Sequence, residues 1–383
     1  MEDKKDNRKT GQEQQAKVYN RLKRRIRYVE MGLGLVFLVT LLVTGLTFQL
    51  RDIAARVTSN FYVVVFIYFF ILTVIFELIT LPLDVFSEFT IERRFGLLRQ
   101  SGWSWVRDYM KSFFLSLVLG GLAVEVLYFF IRFAGDWWWL PAGGAFTLLF
   151  VLLAQLTPVL ILPFFYKFKP LRDNDLSARL IALCNRAGAR IRGIYEWGLS
   201  SKTRQVNAAL TGWGPTRRVL LSDNLIKDFS PSEVEIILAH ELGHYKLHHL
   251  PKLLGIQALL TFVTFGLSNL FFKIFGPGLN LRTLDDVAGL PLLVLIFTLV
   301  GLVALPIMNL LSRHLERAAD YFAFKLTDQT DIFISAMKRL TELNLSESDP
   351  NPVIEFLFHS HPSPGKRIQA ARDFLSEQEE STV

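Results

Sequence analysis

A bilayer offers backbone amides no water to bind, so a chain with several apolar runs of membrane length is confined to a helical bundle or a closed barrel. This sequence has six such runs, at 31–50, 61–83, 113–131, 140–165, 253–275 and 292–311. Each lies near the ~20 residues that a helix needs to cross ~30 Å of hydrocarbon, about twice what a barrel strand uses. They predict a helical bundle of about six spans. Composition agrees, because 51% of the residues are hydrophobic and 33 are phenylalanine, more than the core of a soluble chain of this length employs.

The spans divide the polar remainder. Residues 1–30 form a basic leader, 31–166 a four-span domain, 167–251 a polar stretch, 252–311 a membrane hairpin, and 312–383 a second polar piece. The net charge of +7 could suggest nucleic acid, but much of it sits in "KVYNRLKRRIRY", directly before the first apolar run. That placement reads as a membrane-surface anchor and orientation signal, and no nucleic-acid partner is expected. Ten Lys and Arg precede Met31, and Arg93, Arg94, Arg99, Arg107 and Lys111 lie between the second and third runs, whereas the alternate links carry few. The positive-inside rule then puts both termini and 167–251 in the cytoplasm, and "WWWLPAGG" on the outer side, where tryptophans suit an interface. The leader is no cleavable signal peptide, since the apolar run after it is too long. Its start, up to Gln15, is polar and expected to be mobile. The single cysteine, Cys184, excludes an internal disulfide and a cysteine-based zinc site, and is expected to be a buried helix thiol.

Chemistry concentrates in "ILAHELGHYKLHHL". Upstream, Ser230, Pro231 and Glu233 compose a capping box, so the pentad rides on a helix. "VNAALTGWG" and "RRVLLSD" read as two short strands around a Gly-Pro turn. On the helix His240 and His244 share a face and can present imidazoles to one ion. Glu241 flanks that ion, where it can take a proton from water whose pKa zinc lowers towards ~7. A catalytic zinc needs a third protein ligand and an open position. "LLSRHLERAADYFAF" offers Glu316 to complete the set, and Asp320, one turn on, to fix the tautomer of a ligand histidine. His314 is offset from that face and reads as a surface residue. His248 and His249 are taken to continue the pentad helix; His248 would lie about 12 Å of rise from His240, and neither is assigned a metal role. Glu77 and Glu125, inside spans, are expected to line a polar cavity or to pair with an arginine.

With "SRHLERAAD" and "HSHPSPGKRI" following "HELGH" across a membrane hairpin, the chain resembles the type I CAAX prenyl endopeptidases, integral-membrane zinc proteases of the gluzincin group. "VNAALTGWGPTRRVLLSDNLI" and "LPLDVFSEFTIERRFGLLRQ" extend the likeness over most of the sequence. The resemblance implies an intramembrane chamber of helices with a small α+β, zincin-like cytoplasmic domain, and one Zn2+ per chain. It implies an edge strand at 206–211 that pairs with extended substrate through Asn207, Ala208 and Ala209. It also implies His361 and Arg367 as donors to a developing oxyanion, and peptide or protein substrates that are lipidated or membrane-associated. Six spans, short loops and the ending "SEQEESTV" suit a bacterial inner-membrane homologue. Two other readings stand beside it: a quality-control metalloprotease of the heat-shock type, and an inactive scaffold or lipid binder, against which the presence of Glu241 and Glu316 counts. An enzyme of the site-two type would place its pentad within an apolar span, which "SPSEVEIILAHELGHYKLHH" is too polar to be.

Overall fold

The computed structural model describes residues 2–382, with side chains for 11–214 and 216–380. Six of its helices are long and apolar enough to cross a membrane. The first, α1 (Glu2–Val43), ends before the apolar run does. Gly45 takes φ 72°, a left-handed conformation that costs glycine little, and a separate helix α2 (Leu46–Val57) begins there. The first span thus ends at Val43, before the expected residue 50. The physical reason lies in α2's partners: Thr47 donates to the Ala288 carbonyl at 2.6 Å, and Arg51 pairs at 2.9 Å with the buried Asp286. Residues 11–15, expected to be mobile, are helical within α1; the side chains before them lie outside the described residues, as does the rest of that expectation.

The next spans are α3 (Phe61–Asp84), which runs on through a π-helical turn at Val85–Ile91, α4 (Gly102–Ala134) and α5 (Trp139–Leu156). In no span is more than 28% of the most apolar window buried, as expected of helices that face lipid along much of their length within one membrane domain. Inside it Glu77 accepts from Tyr109 at 2.6 Å, so its partner is a tyrosine where an arginine was one expectation. Glu125 Oε2 is buried and makes no hydrogen bond among the described residues. A core of Tyr68, Tyr128, Trp138 and Phe265 packs the ends of the spans away from the sheet.

Between the fourth and fifth spans the chain forms a four-stranded sheet: β1 (Phe168–Pro170), β2 (Ile194–Trp197), β3 (Ala208–Thr211) and β4 (Arg218–Ser222), ordered β1-β2-β4-β3. The two strands read from the sequence are β3 and β4, antiparallel, with β3 at the edge. β1 and β2 are only three and four residues long, too short to show a period. Helix α6 (Asn174–Arg186) carries Cys184, which is fully buried as expected. It packs with the sheet, α7 (Pro231–Lys246) and α10 (Thr330–Leu343) around Leu180, Leu221, Ile236, Phe324 and Ala336. The fifth span is α8 (His249–Phe275). The sixth is α9 (Leu290–Thr327), whose 38 residues make a rod of about 57 Å. That is nearly twice a bilayer's hydrocarbon, so the sixth span and the segment bearing Glu316 and Asp320 are one continuous helix.

Candidate metal centre

The pentad helix is fixed at its start by the expected capping box, with Ser230 N donating to Glu233 Oε2 at 2.8 Å and Glu233 N to Ser230 Oγ at 3.3 Å. Glu233 also accepts from Ser335 at 2.9 Å and Arg339 at 3.1 Å, tying α7 to α10. Further along, Gly243 lies where a Cβ would come within 3.0 Å of Ala319 backbone atoms on α9. Any side chain there would push the helices apart. Ala319 lies about one turn from Glu316 and next to Asp320, so a glycine inside the pentad sets the spacing at which the two halves of the site meet.

What meets there is a triangle. His240 Nε2 and His244 Nε2 are 3.1 Å apart, Glu316 Oε2 is 3.2 Å from the first and Glu316 Oε1 3.3 Å from the second. Among the described residues these form the one group of side chains with metal-ligand character in mutual reach. Tetrahedral ligands at ~2.0–2.1 Å from zinc are separated by roughly 3.3 Å, which the triangle matches. Glu316 Oε2 is buried and makes no hydrogen bond, although His361 Nδ1 lies 2.9 Å away. An orphaned carboxylate oxygen facing two imidazole nitrogens suits a cation, and the residues present fit a divalent metal.

Each imidazole is held from behind. Asp320 Oδ1 lies 2.8 Å from His240 Nδ1. Burial alone would lower the pKa of His240, but the hydrogen bond and charge of Asp320 override it and hold it at about 9. Asp320 is gripped in turn by Arg367, whose Nε and Nη2 donate to its two oxygens at 2.8 and 2.5 Å. Arg367 was expected at an oxyanion; its fork grips Asp320, a buried bidentate pair, while the residue also borders the cavity that meets Glu241 and His361. His244 Nδ1 faces His249 Nδ1 at 2.9 Å. That contact exists because the pentad helix stops at Lys246 and His248 turns left-handed, at φ 57°. The expectation that His248 and His249 continue the same helix is therefore corrected. His249, buried and off that helix, supports His244.

Glu241 is enclosed, and burial raises its pKa above the usual 4.5 while the charges of His240 and His244 pull the other way. It lines a cavity of about 260 Å³ that also meets Glu316, His361 and Arg367. Asn207 and Ala208 border this cavity, whereas Ala209 lies opposite Leu220 within the ladder. His361 is an exposed ring at the mouth, 62% accessible, and His314 is exposed on α9, as expected.

Three residues of the site's support were not read from the sequence. Asn309, Arg313, Glu316 and Asp320 all lie buried on one stripe of α9. Asn309 donates to the Leu357 carbonyl at 2.7 Å, and Arg313 to the carbonyls of Glu355 at 2.9 Å and His359 at 2.6 Å. Glu355, on the short helix α11 (Pro352–Phe358), accepts from Ser363 N at 3.0 Å and Lys366 at 2.6 Å. Together they bind the loop bearing His361 to the helix bearing Glu316. The signal was available: polar residues spaced four, three and four apart on an otherwise apolar helix share a face.

Comparison with known proteins gives the same membrane and metalloprotease parts, the N-terminal family model counting five membrane helices where this part of the chain has four candidate spans. Residues 5–167 match a family model described as the CAAX prenyl protease N-terminal domain with five membrane helices, and residues 170–375 match peptidase family M48. Among similar proteins, an uncharacterized metalloprotease of Bacillus subtilis, YhfN, is 29% identical over 93% of this chain and 84% of its own length. A CAAX prenyl protease 1 homolog of Arabidopsis thaliana is 31% identical over 77% of this chain and 70% of its own. The crystal structure of S. mikatae Ste24p shares the fold, with a TM-score of 0.83 at 23% identity over 94% of this chain and 89% of that one.

Proposed function

The chain belongs to peptidase family M48, with an N-terminal membrane domain of the CAAX prenyl protease kind, and from that premise we propose how this multi-pass membrane metalloendopeptidase works. One zinc per chain is held by His240, His244 and Glu316, and Glu241 is the base. The observation that carries this reading is the triangle of 3.1–3.3 Å between those three side chains, with Glu241 enclosed in the cavity beside it.

Zinc bound there supplies a Lewis acid that makes water a nucleophile near neutral pH. Glu241 takes the proton from the attacking water and passes it to the leaving amine, the role of a general base that turns acid in the second half of the reaction. Asp320 keeps His240 in the tautomer with its lone pair on Nε2, and Arg367 keeps Asp320 ionised and in place. His361, exposed at the mouth, donates to the oxygen on which charge develops. The open edge of β3 holds an extended peptide by its backbone, so preference must come from side chains or lipid that partition into the apolar wall of the spans. Substrates are therefore apolar, membrane-associated or prenylated peptides.

Glu241→Gln should keep its metal and lose roughly 10²–10⁴-fold in turnover. A peptide carrying a farnesyl group should be cut with lower KM than its unmodified counterpart. Undiminished cleavage by Glu241→Gln would sink the residue assignment, and indifference to the lipid would favour the quality-control reading.

The protein sits in a bacterial inner membrane with both termini and the sheet in the cytoplasm, supported by the charge asymmetry between alternate links. Single cysteines at Asp136, Lys227 and Ser376, in a Cys184→Ala background, can be labelled with an impermeant thiol reagent in intact cells. Only the Asp136 position should react; labelling at Lys227 would invert the orientation.

A further inference from the structure

The edge of β3 is not open along its whole length. Ser222 N donates to the Asn207 carbonyl at 2.9 Å and Asn207 N to Ser222 Oγ at 3.0 Å, so Asn207 faces inward to β4. In an antiparallel pair successive residues alternate direction. The backbone groups of Val206 and Ala208 therefore point outward, to where a substrate strand would lie. At Val206 that place is taken. Its N–H donates to Asn344 Oδ1 at 3.0 Å, and its carbonyl accepts from Asn344 Nδ2 at 3.4 Å. One side-chain amide thus supplies both bonds that a paired strand would make, and Asn344 borders the same cavity as Glu241 and His361.

Asn344 is firmly seated. Its own N–H closes the last turn of α10, donating to Leu340 at 3.0 Å. The next residue, Leu345, is buried in a left-handed conformation, φ 48°, and packs in one cluster with Ala16 and Tyr19 of α1. Asn20 donates to the Leu345 carbonyl at 2.7 Å, and Arg24 pairs with Glu347 at 2.8 Å. The N-terminal helix therefore clamps the loop that carries Asn344, and a peptide strand must break the amide's two bonds to Val206 to turn it aside.

We propose that Asn344 is the end-stop of the substrate groove, a specificity-determining residue that limits how many substrate residues extend from the scissile bond towards Val206. This rests on the endopeptidase reading above, in which substrate pairs with β3. A peptide of permitted length ends before Asn344, whereas a longer one must leave the edge or break the two bonds to Val206.

The test uses the full-length, metal-loaded protein and two nested series of unlipidated peptides that share one cleavable core. One series is lengthened residue by residue at the amino end, the other at the carboxyl end. The wild type should show a step in one series only, a fall in kcat/KM of about tenfold on adding a single residue. Asn344→Gly, and the milder Asn344→Ser, should abolish the step or move it to longer peptides while changing kcat/KM on shorter ones by less than about twofold. Asn344→Asp, which keeps the bulk, should retain it. A step at unchanged length in both shortened variants, or none in either wild-type series, overturns the end-stop alone. Absence of any Glu241-dependent cleavage, both of these peptides and of the same core carrying a farnesyl group, overturns the endopeptidase reading and the end-stop with it.

Discussion

His240 and His244 lie one turn apart on one helix and face one carboxylate, yet they are supported by opposite chemistry. His240 is backed by a charged pair, Asp320 clamped by Arg367, deep where α7 meets α9. His244 is backed by an uncharged ring, His249, at the break between the pentad helix and the fifth span. The side chain of the first is 11% exposed and that of the second 28%. A carboxylate both orients an imidazole and raises its basicity, whereas a second imidazole orients without adding charge. The difference implies a site anchored on the His240 side and more adjustable on the side that borders the membrane.

A graded series of variants tests this contrast. His240→Ala, His244→Ala and Glu316→Ala should each lose the metal, since two ligands do not retain zinc in a catalytic site. Asp320→Asn should weaken metal affinity by about 100-fold and His249→Gln by only about tenfold, the two ends of the range for groups that orient ligands. Competition with a chelator measures all five. Equal losses for Asp320→Asn and His249→Gln would erase the contrast and point to burial, not charge, as what anchors the ion.

A smaller effect should come from the third support, which touches neither imidazole. Arg313→Gln should leave metal affinity unchanged and lower kcat about tenfold with little change in KM if, as proposed, the loop it holds carries His361 to a group that develops charge in the transition state. Arg313→Lys should recover part of the loss. Metal loss in Arg313→Gln would show that the residue supports the ligand set and not the His361 loop.

Much of this site could be read before any coordinates. The capping box at Ser230, the four-residue spacing of His240 and His244 and that of Glu316 and Asp320 are local patterns, and helical geometry alone puts each pair on one face. β3 and β4 were legible because a glycine turn separates them; Gly212, at φ 87°, lies where any Cβ would strike the Thr216 carbonyl. The end of the first span at Gly45 was not legible, since the apolar run continues through it and what turns α2 aside is Asp286, distant in sequence. The hold of Arg367 on Asp320 was not legible for a similar reason. Sequence shows that an arginine lies near the site, but not which anion it reaches first.

By itself, then, the sequence determined six spans, a polar piece between the fourth and fifth, and two half-sites on two helices. These follow from periodicity and length, which act over a few turns of chain. Tertiary structure alone decided how the halves meet: the approach of α9 over Gly243, the assignment of Asp320 to one imidazole and His249 to the other, and the amide of Asn344 closing the edge at Val206. All but the His244–His249 contact, which needs the break after the pentad helix, join segments separated by a membrane hairpin. Only packing can set them, because they depend on distances of a few tenths of an ångström between surfaces that no local pattern encodes.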